Sequence, residues 1–134
     1  MRTFAHGSSP AAMVAAIVRK VDALSAMLMN YKLSSTGSFD RLQQALATEL
    51  VRSIKEELEK VDTPDDLIEQ LTGSIAFAVT CLLDDVAGIE NCGEVVSPVV
   101  TFDVGNETLE HAGGSTYMHE YVFRVLPAVF GHDD

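Results

Sequence analysis

Two segments in the first half of the chain repeat apolar residues at the spacing of an α-helix. The first begins after Pro10, which can occupy the first turn, and carries Met13, Ile17, Val21, Leu24, Leu28 and Tyr31. The second follows Ser38, a good N-cap, and carries Leu42, Leu46, Leu50, Ile54 and Leu58. Because residues three and four apart share one side of a helix, both segments are predicted to be amphipathic helices.

A third helix is predicted from the clearest start signal in the chain. Thr63 can cap it, Pro64 suits its first position, and Asp65-Asp66 places negative charge at the positive end of the helix dipole. Its apolar stripe repeats at three and four residues: Ile68, Leu71, Ile75, Val79, Leu82, Val86 and Ile89. Since residues 73–83 carry no charge, this should be the most buried helix, ending at Gly88, with Leu82 in the core and Asp84 pointing away from it.

After Gly93 the pattern becomes typical of strands. Residues 99–104 are β-branched and alternate, and Pro98 places any strand after it or at a sheet edge. Residues 116–126 suit a strand by composition, although Met118, Tyr121, Val122 and Val125 would also form a helical stripe. We favour the strand for 116–126, with Pro127 ending the element either way.

These elements predict one α+β domain over residues 1–134, with three packed α-helices followed by a small antiparallel β unit from residues 95–104 and 116–126. Residues 1–9 form an N-terminal tail, 10–90 the helical part, 91–130 the β-rich part and 131–134 an acidic tail. A lone hairpin is marginal and leaves exposed edges. Either a third short strand exists or the hairpin pairs with a second subunit, so we expect a homodimer.

The charge is divided very unevenly along the chain. The net charge is −11, and from Val61 onward there are fourteen acidic side chains and one basic one, Arg124. Nucleic acid is disfavoured as a partner, because phosphate binding needs clustered lysines and arginines. An acidic half of this kind either docks on a basic protein or serves solubility.

The composition fits a folded protein of the cytoplasm. The chain is 47% hydrophobic, and its longest early apolar run, 11–18, is eight residues and too short to span a membrane. Cys81 and Cys92 lie eleven apart, which matches neither a disulfide framework nor a zinc module. We therefore expect a soluble, cytoplasmic protein with reduced thiols and no membrane contact.

The most metal-like residues are His111 and His119, flanked by Glu110 and Glu120. Imidazole and carboxylate are common metal ligands, but a spacing of eight residues matches no specific zinc pattern. Asp85 or Asp103 could complete such a set. On the helix Asp84 points away from the apolar stripe and Asp85 lies on its flank, so the two carboxylates do not converge. Only Asp85 is therefore predicted to be partly buried.

No serine or cysteine has a catalytic context: Cys81 is predicted to be an inert core thiol, and no glycine-rich phosphate loop is present. We therefore expect no catalytic residue, cofactor or bound metal. The favoured function is a small acidic, non-enzymatic interaction protein, an adaptor, inhibitor or chaperone, that presents its acidic C-terminal half to a basic protein partner. The alternative is a small metal-assisted enzyme or ligand-binding domain that uses His111, His119 and Glu120, with Asp85 as a further candidate.

Overall fold

The computed structural model describes residues 9–28, 30–114 and 116–132. Within these residues the fold is mixed α+β, with helices α1 (Pro10–Leu28), α2 (Phe39–Lys60), α3 (Asp65–Leu83) and α4 (Met118–Val129). The strands are β1 (Lys32–Ser34), β2 (Ile89–Asn91), β3 (Glu94–Val96), β4 (Phe102–Gly105) and β5 (Thr108–Glu110). The predicted tail of residues 1–9, apart from Ser9, and residues 133 and 134 of the predicted acidic tail lie outside the described residues.

Helices α1 and α2 begin at the predicted residues, and α3 begins one residue later than predicted. Ser9 Oγ accepts a hydrogen bond from the Ala12 N–H at 3.1 Å, whereas Ser38 precedes α2 without a side-chain capping bond. In α3 the N-cap is Pro64 and not the predicted Thr63, and both predicted carboxylates lie in the first turn. It ends at Leu83 rather than Gly88, because Asp85 takes a left-handed backbone conformation with φ 62° and reverses the chain.

The strand predicted over residues 116–126 is wrong, since the structure has α4 there. The β-like composition is outweighed by the helical spacing of four side chains, all of them buried: Met118, Tyr121, Val122 and Val125. Pro127 does not end the helix. It lies within the last turn, which still closes through a hydrogen bond of 3.1 Å from the Phe130 N–H to the Leu126 carbonyl.

The helices that pack together are α2, α3 and α4, around a core of Val51, Ala76, Val122 and Val125. The buried side of α3 consists largely of small residues, Thr72, Gly73, Ala76 and Thr80. At Gly73 the helices approach so closely that a Cβ would lie 3.1 Å from side-chain atoms of Leu126 and Phe123. Close helix packing therefore selects the small-residue face, and the predicted leucine face is displaced from the core.

Two burial predictions for α3 are corrected by this rotation. Leu82 is 45% exposed, although the stripe placed it in the core. Asp84 is only 3% exposed, although the same stripe placed it at the surface. In α2 the buried line is likewise shifted by one residue from the predicted leucines, to Phe39, Gln43, Ala47 and Val51.

The prediction that α1 packs with the other helices is also wrong. α1 makes no substantial contact with any other described element. Its apolar stripe is solvated, with Val14 and Ile17 each 59% exposed. The described monomer thus consists of a three-helix unit, two small sheets and a helix whose apolar side has no partner.

A three-stranded sheet has the order β1-β5-β4, in which β1 is parallel and β4 antiparallel to β5. β1 is a third strand beside the β4–β5 hairpin, which corresponds to one of the two alternatives of the edge argument. The antiparallel pairing predicted between 95–104 and 116–126 is replaced by β4 with β5. A separate hairpin joins β2 to β3 through Cys92 and Gly93, whose φ angles of 50° and 83° form the type I′ turn that suits strand twist.

One described helix, α3, is long and apolar enough to cross a membrane, with 19 residues and a mean hydropathy of 1.3. Such a helix is equally typical of a soluble protein's core. α3 packs against α2 and α4 and carries Asp65 and Asp66 in its first turn.

The placement of α4 in the core predicts a large effect of Met118→Ala. Met118 is fully buried, so its truncation should lower the free energy of unfolding by about 2–5 kcal/mol. Leu33→Ala is the matched control, because Leu33 is 70% exposed and its truncation should cost less than about 1 kcal/mol. Urea denaturation measures both, and equal losses would contradict the burial of α4.

Candidate functional site

A buried carboxylate joins the end of α3 to the start of α4. Asp84 Oδ1 accepts a short hydrogen bond from the Thr116 hydroxyl. Asp84 Oδ2 accepts the His119 backbone N–H at 2.7 Å and lies 2.6 Å from His119 Nδ1. The Asp84 side chain is fully buried and His119 is 21% exposed, so the pair lies at the edge of the core. We call Asp84, Thr116 and His119 the carboxylate cluster.

The local sequence explains why α4 needs this carboxylate. A helix start leaves four backbone N–H groups without partners, and Tyr117 at the N-cap of α4 supplies no side-chain acceptor. Asp84 takes the place of a cap by accepting from the amides that open the helix. Its negative charge also lies at the positive end of the α4 dipole. Asp84 and His119 are 35 residues apart in the sequence, so local sequence patterns do not predict this cap.

Hydrogen bonding outweighs burial in setting the protonation of Asp84. Burial raises the pKa of the Asp84 carboxyl. Hydrogen bonds lower this pKa by a larger amount, and they come from the Thr116 hydroxyl, the His119 backbone and ring, and the Met118 backbone. The net pKa lies below its ordinary value of 3.8, so Asp84 is ionised at neutral pH.

An ionised Asp84 fixes the hydrogen on the His119 ring. A carboxylate only accepts, so Nδ1 must carry the hydrogen and donate it. In the neutral ring Nε2 then has the free lone pair, and no described residue hydrogen-bonds to it. The Phe77 ring packs edge-on against the imidazole, with centroids 6.0 Å apart. An imidazole oriented in this way can offer its Nε2 lone pair to a hydrogen-bond donor or to one cation.

A cleft of about 350 Å³ borders Asp84 and Thr116. It is lined by Leu83, Asp84, Asp85, Ser97, Pro98, Val99, Val100, His111, Ala112, Gly114 and Thr116. Its volume is at the lower end of the range for small-ligand sites. His111 also borders a neighbouring cleft of about 220 Å³ beside Phe39 and Tyr117, so this histidine separates the two.

The two histidines predicted as metal ligands have separate environments. His111 Nδ1 accepts the Gly113 N–H at 3.0 Å, whereas His119 Nδ1 is bound to Asp84 and its ring is not among the side chains that line the cleft. Within residues 9–28, 30–114 and 116–132, no group of three histidine, cysteine, aspartate or glutamate side chains could hold a metal ion.

The predicted carboxylates are likewise dispersed. Glu120 and Asp85 are exposed, and Asp103 accepts the Tyr31 hydroxyl at 2.8 Å on the far sheet. The expectation that Asp85 is the buried member of the Asp84-Asp85 pair is wrong. The reversal at Asp85 turns its side chain to solvent and leaves Asp84 inside.

A second buried carboxylate, Glu110, serves the start of α2. It is 1% exposed and accepts the Thr36 N–H at 2.9 Å and the Thr36 hydroxyl at 3.2 Å. Burial raises its pKa, but hydrogen bonds from Ser34, Thr36 and Ser38 bring it below the ordinary value. Glu110 thus connects β5 to the loop that leads into α2, and it is not available as a ligand beside His111.

Cys81 has the environment expected of an inert thiol. It lies one turn before Asp84, and both burial and that carboxylate raise its pKa. The thiolate needed for nucleophilic chemistry is therefore disfavoured. Cys92 is exposed at the β2–β3 turn, and both described cysteines are free thiols.

Sequence reasoning missed the carboxylate cluster. The local signal for α4 was the helical stripe of Met118, Tyr121, Val122 and Val125, and the strand prediction for residues 116–126 set that stripe aside. No local pattern indicates that the partners of Asp84 lie more than thirty residues later.

Comparison of the chain with protein-family models, with curated proteins and with solved structures found no match.

The cluster predicts a specific effect of Asp84→Asn. The substitution removes the charge that the α4 amides and the His119 ring share, and it should lower the free energy of unfolding at neutral pH by about 1–3 kcal/mol. Asp85→Asn is the matched control on the exposed neighbour and should change stability by less than about 0.5 kcal/mol. Equal losses of stability for the two variants in denaturant titrations would contradict the role of Asp84 in stabilising the start of α4.

The same substitution should alter acid stability. Because the pKa of Asp84 is lowered on folding, its contribution is complete above 3.8 and is lost as the pH falls through the lower folded value. Asp84→Asn should therefore flatten the pH dependence of stability below 3.8 relative to the wild type and to Asp85→Asn.

Proposed function

We propose that this chain is a small acidic, non-enzymatic interaction protein, of adaptor, inhibitor or chaperone type, that presents its acidic C-terminal half to a basic protein partner. The observation that supports this is the state of the charges in that half. Nine of its described carboxylates are exposed: Asp62, Asp65, Asp66, Asp85, Glu90, Glu94, Asp103, Glu107 and Glu120. None of them has a lysine or arginine partner among the described residues.

The ion pairs made by lysine and arginine in the described part of the chain lie within α2. They are Arg52 with Glu49, Lys55 with Glu59, and Lys60 with Glu57. The carboxylates of the C-terminal half pair with hydroxyls, backbone amides and histidines instead, as at Asp84 and Glu110. The negative charge of this half therefore remains uncompensated at the surface, where it can steer a basic partner.

Five of the nine exposed carboxylates form two groups at the ends of α3. Asp62, Asp65 and Asp66 lie at the start of α3, while Asp85 and Glu90 follow its end. A 19-residue helix separates them, which is a distance of about 28 Å. A partner that contacts both groups needs an extended basic surface. Cytoplasmic localisation remains a prediction from the sequence.

The proposal predicts salt-sensitive binding that depends on the carboxylates at the start of α3. A lysine-rich peptide is the probe, and fluorescence anisotropy measures its affinity. The double substitution Asp65→Asn with Asp66→Asn should weaken binding by about 0.4–2 kcal/mol, since each exposed ion pair contributes about 0.2–1 kcal/mol. Added salt should lower the association rate through screening.

The matched control is Glu49→Gln with Glu56→Gln, which removes the same charge from the N-terminal half. A glutamate-rich peptide of equal length controls for charge sign. Equal weakening by both double substitutions, or an association rate independent of salt, would contradict the acidic-surface proposal.

A second candidate function is a small metal-assisted enzyme or ligand-binding domain. The observation that favours it is the Asp84–His119 pair beside the 350 Å³ cleft, because a carboxylate that orients a histidine ring is common behind metal ligands and general bases. In this second candidate function, Asp84 is the carboxylate that accompanies His119, in place of the Glu120 predicted from the sequence. His111 would contact a ligand from the cleft wall.

Metal analysis separates the two candidates. We expect the purified, untagged protein to contain no stoichiometric zinc, manganese, iron or nickel, and its Tm to be unchanged by a chelator. Near-stoichiometric metal with a large chelator-induced drop in Tm would favour the second candidate, because metal-binding energy is then folding energy. His119→Ala should in that case abolish metal binding, whereas His132→Ala, at an exposed histidine, should not.

A further inference from the structure

Two exposed apolar faces in this chain match each other in length and spacing. α1 and α3 each have 19 residues, or about 28 Å. The exposed stripe of α1 repeats at intervals of four, four and three residues: Met13, Ile17, Val21 and Leu24. The exposed stripe of α3 repeats at the same intervals: Leu67, Leu71, Ile75 and Ala78. Neither face has a partner among the described residues.

We propose that the chain forms a homodimer in which α1 of each copy lies on α3 of the other. Helices in water owe most of their stability to packing of an apolar face, and α1 makes no substantial contact with any other described element of its own copy. Stripes spaced at three and four residues interdigitate when two helices cross at about 20°. The inference goes beyond the proposed acidic docking surface and does not require a basic partner.

The receiving surface has a groove for the incoming helix. A space of about 320 Å³ lies between α2 and α3, lined by Ser53, Ile54, Glu57, Leu58 and Ile75. Ile75 is at the middle of the exposed α3 stripe, so a side chain from the middle of α1 can enter this space.

The connection of α1 to the rest of the chain favours a second copy over its own α3. Just after α1, the Tyr31 hydroxyl donates to Asp103 and the Lys32 N–H donates to the Glu107 carbonyl at 2.7 Å. These bonds hold the exit of α1 at the turn of the β4–β5 hairpin. The opposite end of β5 leads to Thr116, which contacts Asp84 at the end of α3.

The three-residue strand β5, about 10 Å long, and the residues after Glu110 that lead to Thr116 lie between the exit of α1 and the end of α3. The exit of α1 is thus held beside the sheet, and the stripe of α1 is exposed in one copy. A second copy allows both stripes to align over their full length.

The charges of the two helices are complementary. α1 carries Arg19 and Lys20 near its middle and one acidic residue, Asp22, whereas α3 has no lysine or arginine. Lys20 lies on the flank of the α1 stripe, and the carboxylates Asp65 and Asp66 lie in the first turn of α3. The pairing places a basic helix on the acidic half of its partner.

The contact area is sufficient for a stable dimer. A helix face about 28 Å long and 10 Å wide covers roughly 280 Å². The four faces of a reciprocal pair come to roughly 1,100 Å², which exceeds the roughly 1,000 Å² that a biological interface needs. A membrane is a poorer occupant, because anionic lipid would repel the carboxylates at both ends of α3.

Sedimentation equilibrium of the full chain tests the proposal. The wild type should have twice the 14.5 kDa mass of one chain. Ile17→Glu and Leu71→Lys should each give a single-chain mass, and the circular dichroism should lose no more than the contribution of α1, because both side chains are exposed in one copy and α2, α3 and α4 pack on each other. Ala12→Glu, on the opposite side of α1, is the matched control and should remain dimeric.

Mixing the two monomeric variants provides the decisive measurement. A mixed dimer has one wild-type contact and one contact in which the introduced carboxylate meets the introduced ammonium, so the mixture should regain the dimer mass. A single-chain mass for the wild type, a dimer that survives both substitutions, or a mixture that stays monomeric would each overturn the proposal. Binding of the wild type to phosphatidylserine-containing vesicles in place of dimerisation would overturn it as well.

The outcome is independent of the acidic-surface proposal. The monomeric variants retain Asp65 and Asp66, so their affinity for the lysine-rich peptide can be measured separately. Loss of the dimer with retained peptide binding, or the reverse, shows which of the two proposals fails.

Discussion

The interaction on which the rest of the fold depends is the acceptance of the α4 amides by the buried carboxylate of Asp84. A buried negative charge is usually balanced by a lysine or arginine. Here a hydroxyl, backbone amides, an imidazole N–H and the helix dipole share that task. Because these groups also fix where α4 begins, they place Met118 and Val122 in the core. The hydrogen bonds that stabilise the buried charge of Asp84 therefore also determine how α4 packs in the core.

The same arrangement recurs at two other junctions. Glu110 accepts the amide and hydroxyl of Thr36 before α2, and Asp40 in the first turn of α2 accepts the hydroxyl of Tyr121 from α4. The Tyr121 hydrogen bond lowers the pKa of Asp40. Carboxylates with neutral donors thus connect α2, α4 and the β5 strand without lysine or arginine. The exposed carboxylates of the C-terminal half have no lysine or arginine partner among the described residues.

The sequence predicted the existence of helices better than their orientation. The starts of α1, α2 and α3 lie next to Ser9, Ser38 and Pro64, and such helix-start signals act within a few residues. Periodicity identifies an apolar face but does not say whether the core or a second surface uses it. In α3 the core takes the small residues around Gly73 and leaves Leu71 exposed. The N-terminal end of α4 could not be predicted, because its cap comes from a residue more than thirty positions earlier. The metal candidates failed to converge for a related reason, since His119 already had a partner at Asp84.

The parallel pairing of β1 with β5 has a consequence for the order of folding. Lys32 pairs with Thr108, and the Thr36–Glu110 contact spans 74 residues, so neither can form while only the first half of the chain is available. α2 and α3, joined by a four-residue connection, can form a helical hairpin early. Their small-residue faces stay uncovered until α4 is present. During synthesis on a ribosome, α2 and α3 can therefore form well before the tertiary contacts of the fold. Their apolar faces are exposed during that interval and are available to a general chaperone.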